Sequence, residues 1–206
     1  MPVALVYRFG YVMVARKDLP QTKLSDIVAA ARAKPGSISV ATAGVGTGQQ
    51  LVAAAFMKAA DVRLLEVPYK GSPPAFTDLL AGRVDLFFDS IAAGLPYIQS
   101  GQARGIAVLS SKRSALAPDV PTMSEAGVTG LDVDSWLGIF APANTPPQII
   151  TKLRADIRAL LPELKERFET SGGETWELPS DKLAGFVASE HAHWTKVIRE
   201  AGIKLD

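Results

Sequence analysis

The chain has 206 residues, with 22 Lys and Arg against 21 Asp and Glu for a formal charge of +1, and it contains no cysteine. Such a balance gives no electrostatic footprint for nucleic acid or an anionic membrane surface, and the absence of thiols excludes disulfides and thiolate chemistry. The length suffices for one large or two small domains with a real core; no apolar run approaches the ~20 residues of a membrane span, and Met1 to Gly10 lacks the basic, apolar and small-residue regions of a signal peptide.

Residues Val3 to Val14 form a Val- and Tyr-rich apolar run, interrupted by Arg8 and Gly10, which predicts a buried strand entering mid-sheet. From Thr22 the period changes. Leu24, Ile27, Val28 and Ala31 fall on one face of a helix that ends before Pro35-Gly36. A short strand from Ser37 to Thr42, a glycine-rich turn and an alanine-rich helix through Phe56 follow. Val62 to Val67 reads as the next strand, Pro73 to Ala81 as a helix opened by prolines, and Val84 to Phe88 as a continuous apolar strand. A helix to about Gln99 leads to a strand from Gly105 to Leu109. Strands alternating with helices of about ten residues predict an α/β fold of βαβ units with a mainly parallel sheet.

Residues 110–130 are loop-rich, with a short helical piece near Thr122 to Ala126, and Leu131 to Phe140 is a further strand. Pro146 suits the start of a helix whose stripe is Ile149, Ile150, Leu153, Ile157, Leu160, Leu161 and Leu164. After a short strand at Glu174 to Leu178, a last helix from about Ser180 carries Leu183, Phe186, Val187, Trp194, Val197, Ile198 and Ala201 on one face. These two helices have little sheet of their own to cover. At ~25 cal/mol per Å2 of apolar area, leaving both stripes in water costs several kcal/mol, so they fold onto the first sheet or require a partner lobe.

In parallel sheets ligands bind beyond the carboxyl ends of the strands. Thr42 to Thr47, Tyr69-Lys70 and Asp89-Ser90 each follow a strand, so all three loops are expected on one edge. Gly44, Gly46 and Gly48 bare the backbone of the first loop, and Thr47 stands where a helix begins, its first N–H groups lacking partners and carrying partial positive charge. That end suits an anion. Gly48 is followed by Gln49-Gln50 and not by the Lys-Ser or Lys-Thr of a phosphate loop. A dinucleotide loop is matched only in part, Gln49 standing where a small residue belongs, although Glu66 lies about 20 residues on, where a ribose-binding acid falls. A small carboxylate held by amides and hydroxyls fits better; a bare structural turn is the bland alternative.

The motifs Thr42-Ala-Gly-Val-Gly-Thr47, Val67-Pro-Tyr-Lys-Gly71, Asp78-Leu-Leu-Ala-Gly82, Asp85-Leu-Phe-Phe-Asp-Ser90, Lys112-Arg113, Pro121-Thr122 with Glu125-Ala-Gly127, and Ser135-Trp-Leu-Gly138 with Ala141-Pro142 run in order along the chain. Together they resemble the substrate-binding proteins of the tripartite tricarboxylate transporter family, also called Bug receptors. The resemblance implies a type II periplasmic-binding-protein fold whose two lobes close on a di- or tricarboxylate, amino acid or aromatic acid, a periplasmic location, and membrane permease subunits as partners. Mapped here, residues 1–13 are a crossing strand, 14–135 a complete second lobe, and 136–206 the return crossing and C-terminal helices of a first lobe that is incomplete, the stretch that normally comes first being absent. A histidine frequent in the family after the glycine turn is replaced by Gln50.

By resemblance, Thr42, Ala43, Gly44, Gly46, Thr47, Tyr69, Asp89 and Ser90 hold or line the ligand; Asp89 capping the next helix is an equal alternative. Lys70 reads as a solvated lysine and Trp136 as a core or hinge residue. Nothing marks an enzyme: there is no Gly-x-Ser-x-Gly elbow, and His191 and His193, two apart on a predicted helix, share no metal. No cofactor is expected. Two rivals stay open: a nucleotide-binding enzyme using Gly44 to Gly48 and Glu66, and a fragment that binds nothing and self-associates through its exposed helices.

Overall fold

The computed structural model describes residues 1–203. The chain divides into two compact units, one made of Met1–Phe9 with Ser135–Lys196 and the other of Gly10–Asp134 with residues 197–203. The first strand, β1 (Pro2–Arg16), gives its first half to the smaller unit and its second half to the larger.

The larger unit continues through α1 (Leu24–Ala33), β2 (Ser39–Thr42), α2 (Gly48–Ala60), β3 (Leu65–Pro68), α3 (Ser72–Leu80), β4 (Leu86–Ser90), α4 (Ile91–Gln99) and β5 (Ala103–Val108). Its strands lie in the order β3-β2-β4-β1-β5. β2 pairs in parallel with β3 and β4, whereas β1 runs antiparallel between β4 and β5. The expected common direction therefore holds for β2 to β5, and the sheet is mixed because β1 passes through it the other way. Apolar composition identifies a buried strand but carries no information on its direction.

Adjacent residues of a strand point to opposite faces. Phe87 and Phe88 do so, Phe87 meeting Phe76 of α3 edge-on at 5.1 Å and Phe88 meeting Phe56 of α2 at 5.4 Å. Both rings are fully buried, so β4 lies between two helical layers. On β1, a Cβ at Gly94 of α4 would stand 3.0 Å from methyls of both Val12 and Val14; glycine lets that helix settle onto the strand. One polar staple crosses the sheet. Asp85 accepts from Ser39 N at 2.8 Å and Ser39 Oγ at 2.7 Å with one oxygen, and from Arg16 Nε at 2.8 Å with the other. Burial alone would raise the Asp85 pKa, but the Ser39 and Arg16 bonds outweigh it and hold the carboxyl below its ordinary range.

The smaller unit adds β6 (Asp134–Phe140), α5 (Pro147–Thr170), β7 (Gly173–Thr175) and the start of α6 (Leu183–Ala201). Both β6 and β7 pair with β1, β7 antiparallel with Arg8 opposite Glu174. Trp136 is held here: its Nε1 donates to Glu190 at 3.0 Å and its ring meets Phe186 edge-on. Much apolar surface stays wet, with Leu137, Phe140, Ile149 and Leu160 each at least half exposed. No helix among the described residues is long and apolar enough to cross a membrane.

Candidate functional site

β2 ends in Thr42, which is buried, and the backbone then turns through Gly44 at φ 128° and Gly46 at φ 76°. These are angles that a side chain strongly disfavours. Thr47 closes the turn twice: its hydroxyl donates to Gly44 O at 2.8 Å and its Oγ1 accepts from Gln50 N at 3.4 Å, capping α2. The turn is stitched to the next loop by Tyr69 N donating to Thr42 O at 2.9 Å and Gly71 N donating to Ala43 O at 3.0 Å. Parallel β2, β3 and β4 thus bring the three predicted loops to one edge of the larger unit.

Not every donor of the turn is open. Gly46 N donates to Gln50 Oε1 at 2.8 Å, and Gln50 Nε2 donates to Glu66 Oε2 at 3.2 Å. Glu66 is therefore engaged in holding the turn, which counts against a ribose-binding acid. The N–H groups of Val45, Gly48 and Gln49 have no acceptor among the described residues. Gly48 and Gln49 are the first two residues of α2, where the helix end carries about half a positive charge. Val45, at the apex, is 60% exposed.

Asp89 is 2% exposed. Its Oδ1 accepts from Ser90 N at 2.8 Å and from Gln49 Nε2 at 3.0 Å, while Oδ2, also buried, has no partner among the described residues. The cap of α4 is Ser90, whose Oγ accepts from Ala93 N at 3.3 Å, so the capping alternative for Asp89 does not hold. Ser90 thereby has less of its hydroxyl to offer a ligand. Tyr69 also differs from expectation, because its hydroxyl donates to Asp78 at 2.9 Å and only its backbone joins the turn. Arg83 first, and Tyr69 second, hold Asp78 below the usual carboxylate range; burial and then Asp78 raise the Tyr69 phenol. Lys70 is exposed, as are His191 and His193. Among the described residues no group of three or more His, Cys, Asp or Glu could hold a metal.

Three residues of this edge escaped sequence reasoning. Tyr11 of β1 is buried, and its hydroxyl lies 2.3 Å from where a Cβ on Gly48 would stand, so glycine there admits Tyr11 to the foot of α2. A tyrosine in an otherwise aliphatic stretch of buried strand was the available signal. Gln49 and Gln50 stand in the sequence as departures, both from nucleotide motifs and Gln50 also from the family's histidine, and two amides at the first turn of a helix after glycines are the hint of a polar role.

The sequence profile of the family described as "Tripartite tricarboxylate transporter family receptor" matches residues 1–203. Protein BugT of Bordetella pertussis is 34% identical over 207 residues, covering 100% of this chain and 64% of BugT. A protein of R. palustris solved with adipate superposes with a TM-score of 0.88 at 32% identity, covering 98% of this chain and 68% of that one. MatC from Rhodopseudomonas palustris, with bound malate, gives a TM-score of 0.84 at 29% identity, covering 96% and 69%. The chain thus spans roughly 60 to 64% of the length of curated relatives such as BugT.

Proposed function

The chain belongs to the tripartite tricarboxylate transporter receptor family, and from that membership we propose that it serves an extracytoplasmic, periplasmic receptor that captures a small organic carboxylate and passes it to membrane permease subunits. The observation that carries this reading is the pair of open N–H groups of Gly48 and Gln49 at the end of the glycine turn. A carboxylate docked there exchanges water for two charge-assisted bonds at a positive helix end. Thr42, Ala43, Gly44, Gly46 and Thr47 shape the seat, the Tyr69 backbone braces it, and Asp89 and Ser90 close its side. The ligand leaves as it came, with no bond made or broken. In this reading residues 14–135 are one lobe, while 1–13 and 136–206 belong to the crossings and the other lobe, and hinge motion between lobes commits the ligand. Neighbours solved with adipate and malate favour dicarboxylates.

A thermal-shift panel tests this. Citrate, L-malate, adipate, L-glutamate and benzoate at millimolar concentration are set against NAD and ATP; at a hundredfold excess over Kd a bound acid stabilises by about 2.7 kcal/mol. Stabilisation by at least one acid is the expected result, and a response only to NAD or ATP overturns the reading.

A second reading concerns the smaller unit taken alone. The exposed Leu137, Phe140, Ile149 and Leu160 favour self-association of this chain. Size-exclusion chromatography with light scattering is expected to show mass rising with concentration, and a constant monomer refutes it.

A further inference from the structure

Asp89 poses a problem that carboxylate capture leaves unsolved. Its Oδ1 is satisfied twice, by Ser90 N and Gln49 Nε2, yet Oδ2 is buried and has no hydrogen-bond partner among the described residues. A buried acceptor left without a donor is costly and calls for one. The residue that fixes Asp89 also supplies an open backbone N–H: Gln49 binds Asp89 through its side chain and stands second in α2, where the donors proposed for the ligand lie. Donor seat and bare acceptor are thus tied together through one residue.

We propose that the site takes a carboxylate with a hydrogen-bond donor on the adjacent carbon, a 2-hydroxy or 2-amino acid, whose donor pairs with Asp89 Oδ2. This rests on the carboxylate-receptor reading above. The α2 amides hold the carboxylate of such a ligand while its hydroxyl or ammonium turns toward Asp89. An unsubstituted acid fills the same seat and leaves Oδ2 bare. Sites built to pair a polar group reject analogues lacking it more strongly than apolar pockets reject a missing methylene, because the site's own buried group is then unpaired.

Isothermal titration calorimetry of the 206-residue protein with succinate, L-malate and L-aspartate at neutral pH decides the point. Malate, aspartate or both are expected to bind at least about tenfold more tightly than succinate, the loss set by one unpaired buried acceptor. Preference for malate alone identifies a hydroxyl, and for aspartate alone an ammonium. Asp89→Asn keeps the Oδ1 acceptor but puts an NH2 donor where Oδ2 stood; a hydroxyl oxygen can accept from it, but an ammonium has no acceptor to offer. It is expected to abolish a preference for aspartate over succinate. Should that variant fail to fold by circular dichroism, the wild-type ranking decides. Succinate binding as tightly as malate and aspartate, or a preference for aspartate that survives Asp89→Asn, overturns the inference and leaves the receptor reading standing. No heat with any acid, together with no acid response in the thermal panel, overturns both.

Discussion

Gln49 and Asp89, 40 positions apart in sequence, are joined by a hydrogen bond of 3.0 Å from the Gln49 side-chain amide to Asp89 Oδ1. The bond fastens the first turn of α2 to the end of β4, and it spans the edge where the receptor reading places the ligand. Gln49→Ala removes one of the two donors to a buried carboxylate oxygen. It is expected to cost about 1–3 kcal/mol in urea-induced unfolding. A variant as stable as the parent would show that the bond does no such fastening.

Gly48 is required by a neighbour, since its φ is not positive and the nearest obstacle to a side chain is the Tyr11 hydroxyl. Gly48→Ala gains helix propensity of up to about 1 kcal/mol, yet is expected to destabilise the protein because the new methyl displaces Tyr11. Adding Tyr11→Phe removes the obstructing oxygen, so the double variant is expected to recover part of the loss. Thermal denaturation of the four proteins in a double-mutant cycle checks this, and strict additivity would contradict it.

Gln50 holds the turn from two sides, accepting from Gly46 N and donating to Glu66. If the turn is the ligand's seat, loosening it weakens capture. Gln50→Ala is expected to lower carboxylate affinity about fivefold, the equivalent of one net hydrogen bond. Glu66→Gln, which keeps an acceptor oxygen, is expected to have a smaller effect. Calorimetric titration with the acid that responds best in the thermal panel measures both, and affinity raised by Gln50→Ala would mean that the Gln50 side chain competes with the ligand.

Much of this architecture was written in hydrophobic period. Leu24, Ile27 and Ala31, spaced as on a helical face, are the buried face of α1, and the run Val84 to Phe88 marks β4 (Leu86–Ser90), which is buried through Asp89. Boundaries slipped where a cap decided them. The strand expected from Val62 starts at Leu65, because Asp61 ends α2 in a left-handed conformation and Val62 N still donates to Met57 O. The glycine turn and its Thr47 cap were legible because both are local. The bond from Tyr69 to Asp78, the shelter of Tyr11 against Gly48 and the unpaired oxygen of Asp89 were not, since each depends on which strands lie side by side. The direction of β1 belongs with them.

The staple of Asp85, Ser39 and Arg16 sets an acid limit. Because the folded carboxyl lies below its ordinary value, the staple's contribution is fully present above the unfolded pKa of about 3.9 and is lost as pH falls below it. Asp85→Asn removes that linkage. The parent is therefore expected to lose more stability than the variant between about pH 5 and pH 3, as followed by urea midpoints, and parallel curves would contradict the assignment.

The central claim is that backbone amides at the foot of α2 receive a carboxylate. The most direct measurement is a titration of the 15N-labelled chain with L-malate, followed by the backbone amide resonances. The account predicts that Gly48 and Gln49 show the largest saturable shifts, with Val45 beside them, and that sodium chloride at matched ionic strength leaves them in place. Saturable shifts centred elsewhere, with Gly48 and Gln49 unmoved, would contradict it.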